Sequence, residues 1–84
     1  MSVEEHFQQA LESVKAVADP SPTVLLKLYG LYKQSTAGDV QGKRPGMLDM
    51  RGRAKYDAWA AQQGTSQEDA MIDYVEYVEE LLEG

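Results

Sequence analysis

Thr65-Ser66-Gln67-Glu68-Asp69-Ala70-Met71-Ile72-Asp73-Tyr74-Val75-Glu76-Tyr77-Val78-Glu79-Glu80-Leu81-Leu82 decides the fold. Met71, Tyr74, Val75, Val78, Leu81 and Leu82 recur at spacings of three and four, which puts them on one side of a helix. Asp73, Glu76, Glu79, Glu80 and Glu83 take the opposite side. Thr65 with Glu68 three residues on fits a capping box, so the helix is expected to begin there. A helix this amphipathic needs other helices to bury its stripe.

Working back from it, the sequence supplies three such partners. A helix from Met50 to Gln63 is predicted, with Asp49 as its cap and Gly64 as its stop. Another begins near Ser21 to Thr23, where Pro22 suits a first-turn position, carries Leu25, Leu28, Tyr29 and Tyr32, and ends before Gly38. The first runs from Val3 to Val17, with Phe7, Ala10, Leu11, Val14 and Val17 at helical spacing, and stops before Asp19-Pro20-Ser21-Pro22. No stretch alternates as a half-buried strand does. Between the second and third helices, Thr36 to Asp49 forms a long connection rich in turn formers, expected to be ordered by Val40, Met47 and Leu48 lying on the core. The fold class is therefore all-α, a four-helix antiparallel bundle, with residues 1–84 as one domain.

Composition narrows the function. Eighty-four residues support one small core. With no cysteine, neither a disulfide framework nor a thiolate metal site is available. No export signal and no run of eighteen apolar residues is present, which points to a cytosolic (cytoplasmic) protein without stable membrane insertion. No spare apolar stripe argues for an oligomer, so a monomer is expected. The only histidine, His6, has no metal-ligand partners at suitable spacing, and Ser2, Ser13, Ser21, Ser35 and Ser66 lack a base. The glycines between Gly38 and Gly46 do not end in the lysine-serine of a phosphate-cradling loop. No catalytic residues and no metal site are expected, and the chain reads as a binding protein.

Charge locates the binding. Seven of the eight basic residues (Lys27, Lys33, Lys43, Arg44, Arg51, Arg53 and Lys55) lie in one stretch with only Asp39 and Asp49 against them, a local +5 in a chain of net charge −6. The rest of the chain therefore carries −11, which argues against nucleic-acid polymers and for one small anion bound locally. Tyr29, Tyr32 and Lys33 share a face of the second helix, and Arg51 and Lys55 share one on the third. Tyrosine rings offer stacking platforms for a base, and two lysines from neighbouring helices suit a phosphomonoester of roughly −1.5 to −2 charges. Tyrosines at this spacing also serve as core residues with a wet tip. A competing reading has the acidic fourth helix docking a basic protein partner.

Four blocks carry a further resemblance: Tyr29-Gly-Leu-Tyr32-Lys33-Gln34-Ser-Thr-Ala-Gly38-Asp39, Arg44-Pro45-Gly46-Met47-Leu48-Asp49, Ala54-Lys55-Tyr56-Asp57-Ala58-Trp59 and Gly64-Thr65-Ser66-Gln67-Glu68-Asp69-Ala70-Met71. In order and spacing they resemble the acyl-CoA-binding protein family across essentially the whole chain. The resemblance implies an up-down-down-up bundle that carries and buffers long-chain fatty acyl-CoA thioesters for acyl-CoA-using enzymes, with no cofactor and no covalent chemistry. It makes Lys33 and Lys55 partners of the CoA 3′-phosphate, lines the nucleotide site with Tyr29 and Tyr32, and brings Tyr74 to the adenosine. Arg51 and Lys15 match positions of further basic contacts, and Leu25, Leu26, Leu28 and Ala54 are candidates for the acyl-chain groove. Tyr56 stands where many members have tryptophan, and Lys27 where an apolar residue is common.

Overall fold

The computed structural model describes residues 1–84 and contains helices α1 (Val3–Ser13), α2 (Pro22–Ala37), α3 (Met50–Ala60) and α4 (Gln67–Glu83), with a 3₁₀ turn at Val14–Ala16 and no strand. Side-chain neighbours fix their directions. Val3 and His6 border a hollow with Ile72 and Val75, and Ser13 one with Leu82, so α1 and α4 run in parallel. Gln67 at the start of α4 reaches the Ser35 carbonyl near the end of α2, while Lys27 near the start of α2 lies over Tyr77, so these two are antiparallel. The N-terminal turns of α2 and α3 share a groove, and the Trp59 indole near the end of α3 donates to the Gly38 carbonyl at the end of α2. The order is up-down-down-up.

Burial explains the layering. Phe7, Ala10, Leu28, Leu31, Tyr74 and Val78 form the core, drawn from α1, α2 and α4. The molecule measures 40 × 28 × 15 Å, little more than one helix diameter in its thin direction, and only ten of its 84 residues are buried. Helix α3 contributes none of them and packs on α2 alone. Gly30 makes that packing possible. A Cβ there would stand 2.8 Å from the Ala58 carbonyl carbon, a backbone atom that cannot swing away.

Caps set the helix starts. Ser21 accepts from the Val24 amide ahead of Pro22, and Asp49 accepts from the Gly52 amide. The reciprocal capping box forms at α1, between Ser2 and Glu5. At α4 the cap is Ser66, whose hydroxyl accepts from the Asp69 amide, one residue later than the Thr65–Glu68 pairing predicts. The reason is tertiary: the Thr65 carbonyl is held by Gln34, and Gly64 turns the chain at φ 93° just before. The first and third helices are also shorter than predicted. Val14–Ala16 tighten into a 3₁₀ turn, and after Ala60 the amides of Gln62 and Gln63 bond three residues back, to Trp59 and Ala60.

The long connection is ordered by polar bonds rather than by the expected apolar contacts. Gln34 and the Gly64 amide donate to Asp39, Tyr56 donates to the Gly42 carbonyl, and Arg44 grips Asp57 through two nitrogens at 2.8 and 2.6 Å. Val40 is half-buried, but Met47 and Leu48 stand 78% and 105% exposed.

Candidate functional site

Helix α2 has two working faces, because α3 packs on one side and α1 with α4 on another. Toward α3, the Lys55 ammonium lies 5.4 Å from the centre of the Tyr29 ring, and the Lys33 ammonium 4.7 Å from that of Trp59. A cation over a ring face is held by the ring quadrupole without being neutralised, so both lysines keep their full charge for a ligand. Trp59 is itself fixed by its 2.7 Å bond to Gly38. Toward the core, Phe7 stacks on Tyr32 at 6.3 Å and meets Tyr74 edge-on at 5.3 Å. Burial, and then the neighbouring Tyr32 phenol, push the Tyr74 hydroxyl above the ordinary tyrosine range. It stays neutral at physiological pH and can donate.

An apolar groove of about 390 Å³ opens between the first turns of α2 and α3. Pro22, Leu25, Leu26, Met50 and Ala54 line it, with Arg51 and Lys55 at its border. Leu25 is 52% exposed, so the groove presents apolar surface. Cations, rings and an open hydrophobic trough therefore adjoin one another, an arrangement suited to a ligand with an anionic aromatic head and a greasy tail. No set of three or more acidic or histidine side chains is disposed to hold a metal ion.

Residues 4–78 match the family model described as "Acyl CoA binding protein". The chain belongs to the acyl-CoA-binding protein family. An acyl-CoA-binding protein of Brassica napus is 51% identical over 84 residues, covering 99% of this chain and 91% of that one. The crystal structure of Oryza sativa acyl-CoA-binding protein 2 superposes with a TM-score of 0.92 at 45% identity, over 96% of this chain and 89% of that one. That of the Moniliophthora perniciosa protein gives 0.88 at 40% identity, over 99% and 82%. The acyl-CoA-binding protein fold, all-α with four helices, is thus shared with solved relatives.

In this member of the acyl-CoA-binding protein family, the residues singled out from sequence fall into three groups. Tyr29, Lys33 and Lys55 lie where α2 meets α3, Tyr32 and Tyr74 both pack against Phe7 on the core side, and Arg51 borders the groove. Leu25, Leu26 and Ala54 line the groove. Leu28 does not: it is 8% exposed and packs in the core with Phe7 and Leu31, because it lies on the same face of α2 as Leu31, turned away from α3. Lys15 stands apart, its ammonium 2.7 Å from Glu12 on the exposed outer side of the first-helix end, with no contact to the lysines or rings. Sequence reasoning passed over Pro22 and Met50 as groove walls and Trp59 as the ring beneath Lys33. Met50 and Ala54 are four apart at the start of α3, which is the spacing that shows them as one face.

Proposed function

We infer that this protein binds fatty acyl-CoA thioesters, holding the nucleotide against α2 and α3 and the acyl chain in the groove, and releases them unchanged. One observation carries the reading: two unneutralised lysines held over ring faces on adjacent helices, next to an open trough of about 390 Å³. Lys33 and Lys55 meet the CoA 3′-phosphate, Tyr29 and Tyr32 flank the nucleotide, and the neutral Tyr74 hydroxyl donates to the adenosine portion. Arg51 adds charge at the groove border. Lys15 serves the phosphates only after leaving Glu12, an exposed pairing that costs little to break. Leu25, Leu26, Ala54, Pro22 and Met50 cover the tail.

The energetics favour a long chain. Each buried methylene contributes about 0.8 kcal/mol, so ten give roughly 8 of the roughly 12 kcal/mol that nanomolar affinity requires. The head supplies selectivity over free fatty acid. Such a binder acts as a monomeric carrier and buffer that keeps the tail from water and hands the thioester to acyl-CoA-using enzymes in the cytoplasm. Isothermal titration with palmitoyl-CoA, CoA and palmitate tests this. Palmitoyl-CoA is expected to bind tightest by far, and Lys33→Ala and Lys55→Ala each to weaken it at least about tenfold, the effect of losing a charged hydrogen bond of about 1.5–3 kcal/mol. Equal binding of bare palmitate, or unchanged affinity in both variants, overturns it.

A further inference from the structure

The parallel helices α1 and α4 leave a seam between them, on elements that α3 does not touch. It is lined at one and the same spacing from both sides, by His6, Ala10 and Ser13 on α1 and by Val75, Glu79 and Leu82 on α4. Val3 and Ile72 extend it by one step, each three residues before the first of those on its helix. Alternating steps of three and four are the spacing at which one helix face receives another helix. From Val3 to Ser13, and from Ile72 to Leu82, the seam runs about 15 Å, close to three helical turns. Two hollows open along it, one of about 180 Å³ at the Val3–Ile72 end and one of about 110 Å³ toward Leu82, and they share His6 and Val75. Both are smaller than the roughly 300–1,000 Å³ of small-molecule pockets, so each suits one side chain of a partner and not a ligand. Ile72 and Leu82, 38% and 45% exposed, give the seam apolar lips.

Charge selects the occupant. Helix α1 carries three carboxylates and α4 seven, and neither carries a lysine or an arginine. Glu76 and Glu79 stand on the seam itself. Lys15, the one basic residue outside the Lys27–Lys55 stretch, is held by Glu12. A second copy docking face to face would set this carboxylate-rich surface against its own image, which like charges oppose. A helix with an apolar stripe and a polybasic border matches both features, seating its stripe in the hollows and its cations along the carboxylates.

We propose that the α1–α4 seam is a docking site for a basic amphipathic helix of a partner protein, with large apolar side chains of that helix in the two hollows and its lysines or arginines against Glu76 and Glu79. No residue lining the seam belongs to the acyl-CoA site, and α3, which carries Arg51 and Lys55, touches neither α1 nor α4. The docked protein therefore keeps its ligand site open. The contact does not rest on the acyl-CoA reading.

The test is fluorescence anisotropy of a labelled peptide of about four helical turns, with leucines at three- and four-residue spacing and lysines elsewhere, titrated with the purified protein. A scrambled peptide of the same composition, NMR mapping of amide shifts, and sedimentation of the protein alone run beside it. The patterned peptide is expected to bind with shifts centred on His6, Val75 and Leu82 and to weaken as salt rises, and the scrambled one to bind at least about tenfold more weakly. Ile72→Gln should weaken the patterned peptide about fivefold and Glu79→Gln about threefold, both keeping the wild-type thermal midpoint and palmitoyl-CoA affinity. Ile72 stands outside the core cluster and Glu79 is exposed, so neither change disturbs the fold. Equal binding of the two peptides, unchanged binding in both variants, or shifts centred on α2 and α3 overturns the proposal. So does self-association of the wild type that Ile72→Gln abolishes, which gives the seam to a second copy.

Discussion

Gln34 ties three parts of the molecule together, and its replacement tests whether that knot holds the site in shape. The side chain is fully buried in α2. Its Nε2 donates to the Thr65 carbonyl at 2.6 Å and to Asp39 at 2.8 Å, joining α2 to the start of α4 and to the long connection. Gln34→Leu keeps the volume and removes the donor. The lost neutral bond to Thr65 is worth about 1 kcal/mol, and leaving that carbonyl unpaired adds about 1–3. Relief comes from deleting Oε1, which is buried without a partner. A net destabilisation of about 2 kcal/mol follows, a large share of the roughly 4–12 kcal/mol expected for a domain this size. Gln34→Glu is isosteric but turns the donor into an acceptor facing two acceptors, so at pH 7 it should be less stable than Gln34→Leu. Repulsion and burial raise the introduced carboxyl's pKa. Its penalty is therefore present at neutral pH and fades as pH falls toward the unfolded value of about 4.3, where the protonated acid donates again. Urea unfolding followed through Trp59, the single tryptophan, measures all three proteins at pH 7 and pH 5. If Gln34→Leu lies within about 0.5 kcal/mol of wild type, or Gln34→Glu gains nothing relative to it at pH 5, the reasoning fails.

Two further perturbations probe the frame. Gly30→Ala should destabilise the fold by about 1–3 kcal/mol in thermal unfolding, although alanine is the better helix former, because the added methyl meets the Ala58 backbone and pushes α3 off α2. Acid should act through carboxylates held below their ordinary range: Asp39 by the Gly64 amide and then Gln34, Asp57 by Arg44, and Glu5 by the Ser2 amide and hydroxyl. Depressed folded values mean stability that is present above the unfolded values of about 3.9–4.3 and lost as pH falls through the folded ones. Urea midpoints should hold from pH 7 to 5 and drop below about pH 4, and Asp57→Asn should flatten the drop; a midpoint that rises toward pH 3 contradicts the assignment.

What could be read in the sequence was whatever depends on local spacing. The α4 stripe, the Ser21–Pro22 start, the Asp49 cap and the placing of Tyr29, Tyr32 and Lys33 on one helix each follow from residues within a turn or two of one another. What stayed hidden depends on a partner far along the chain. Ser66 rather than Thr65 caps α4 because Gln34, 31 residues earlier, claims the Thr65 carbonyl. Gln34 reads as an ordinary polar helix residue until one notes that it continues the Leu28–Leu31 spacing into the core. Leu28 is a groove candidate only through the family resemblance; it packs with Leu31 and Phe7 in the core, a contact with α1 that local spacing does not reveal. Met47 and Leu48 were expected inside on hydrophobicity alone. The connection had already been secured by Asp39, Arg44, Tyr56 and Trp59, so no apolar anchor was needed there.

That economy bears on how the site works. Helix α3 adds no buried residue of its own and touches α2 alone. Lys33, Tyr29 and Tyr32 thus ride on the helix that also builds the core, while Lys55, Arg51 and the outer groove wall ride on one held by the Gly30 crossing and by polar ties to the long connection. A ligand that places phosphate between Lys33 and Lys55 and a tail between Leu25 and Ala54 would bridge α2 and α3 through the middle of α3.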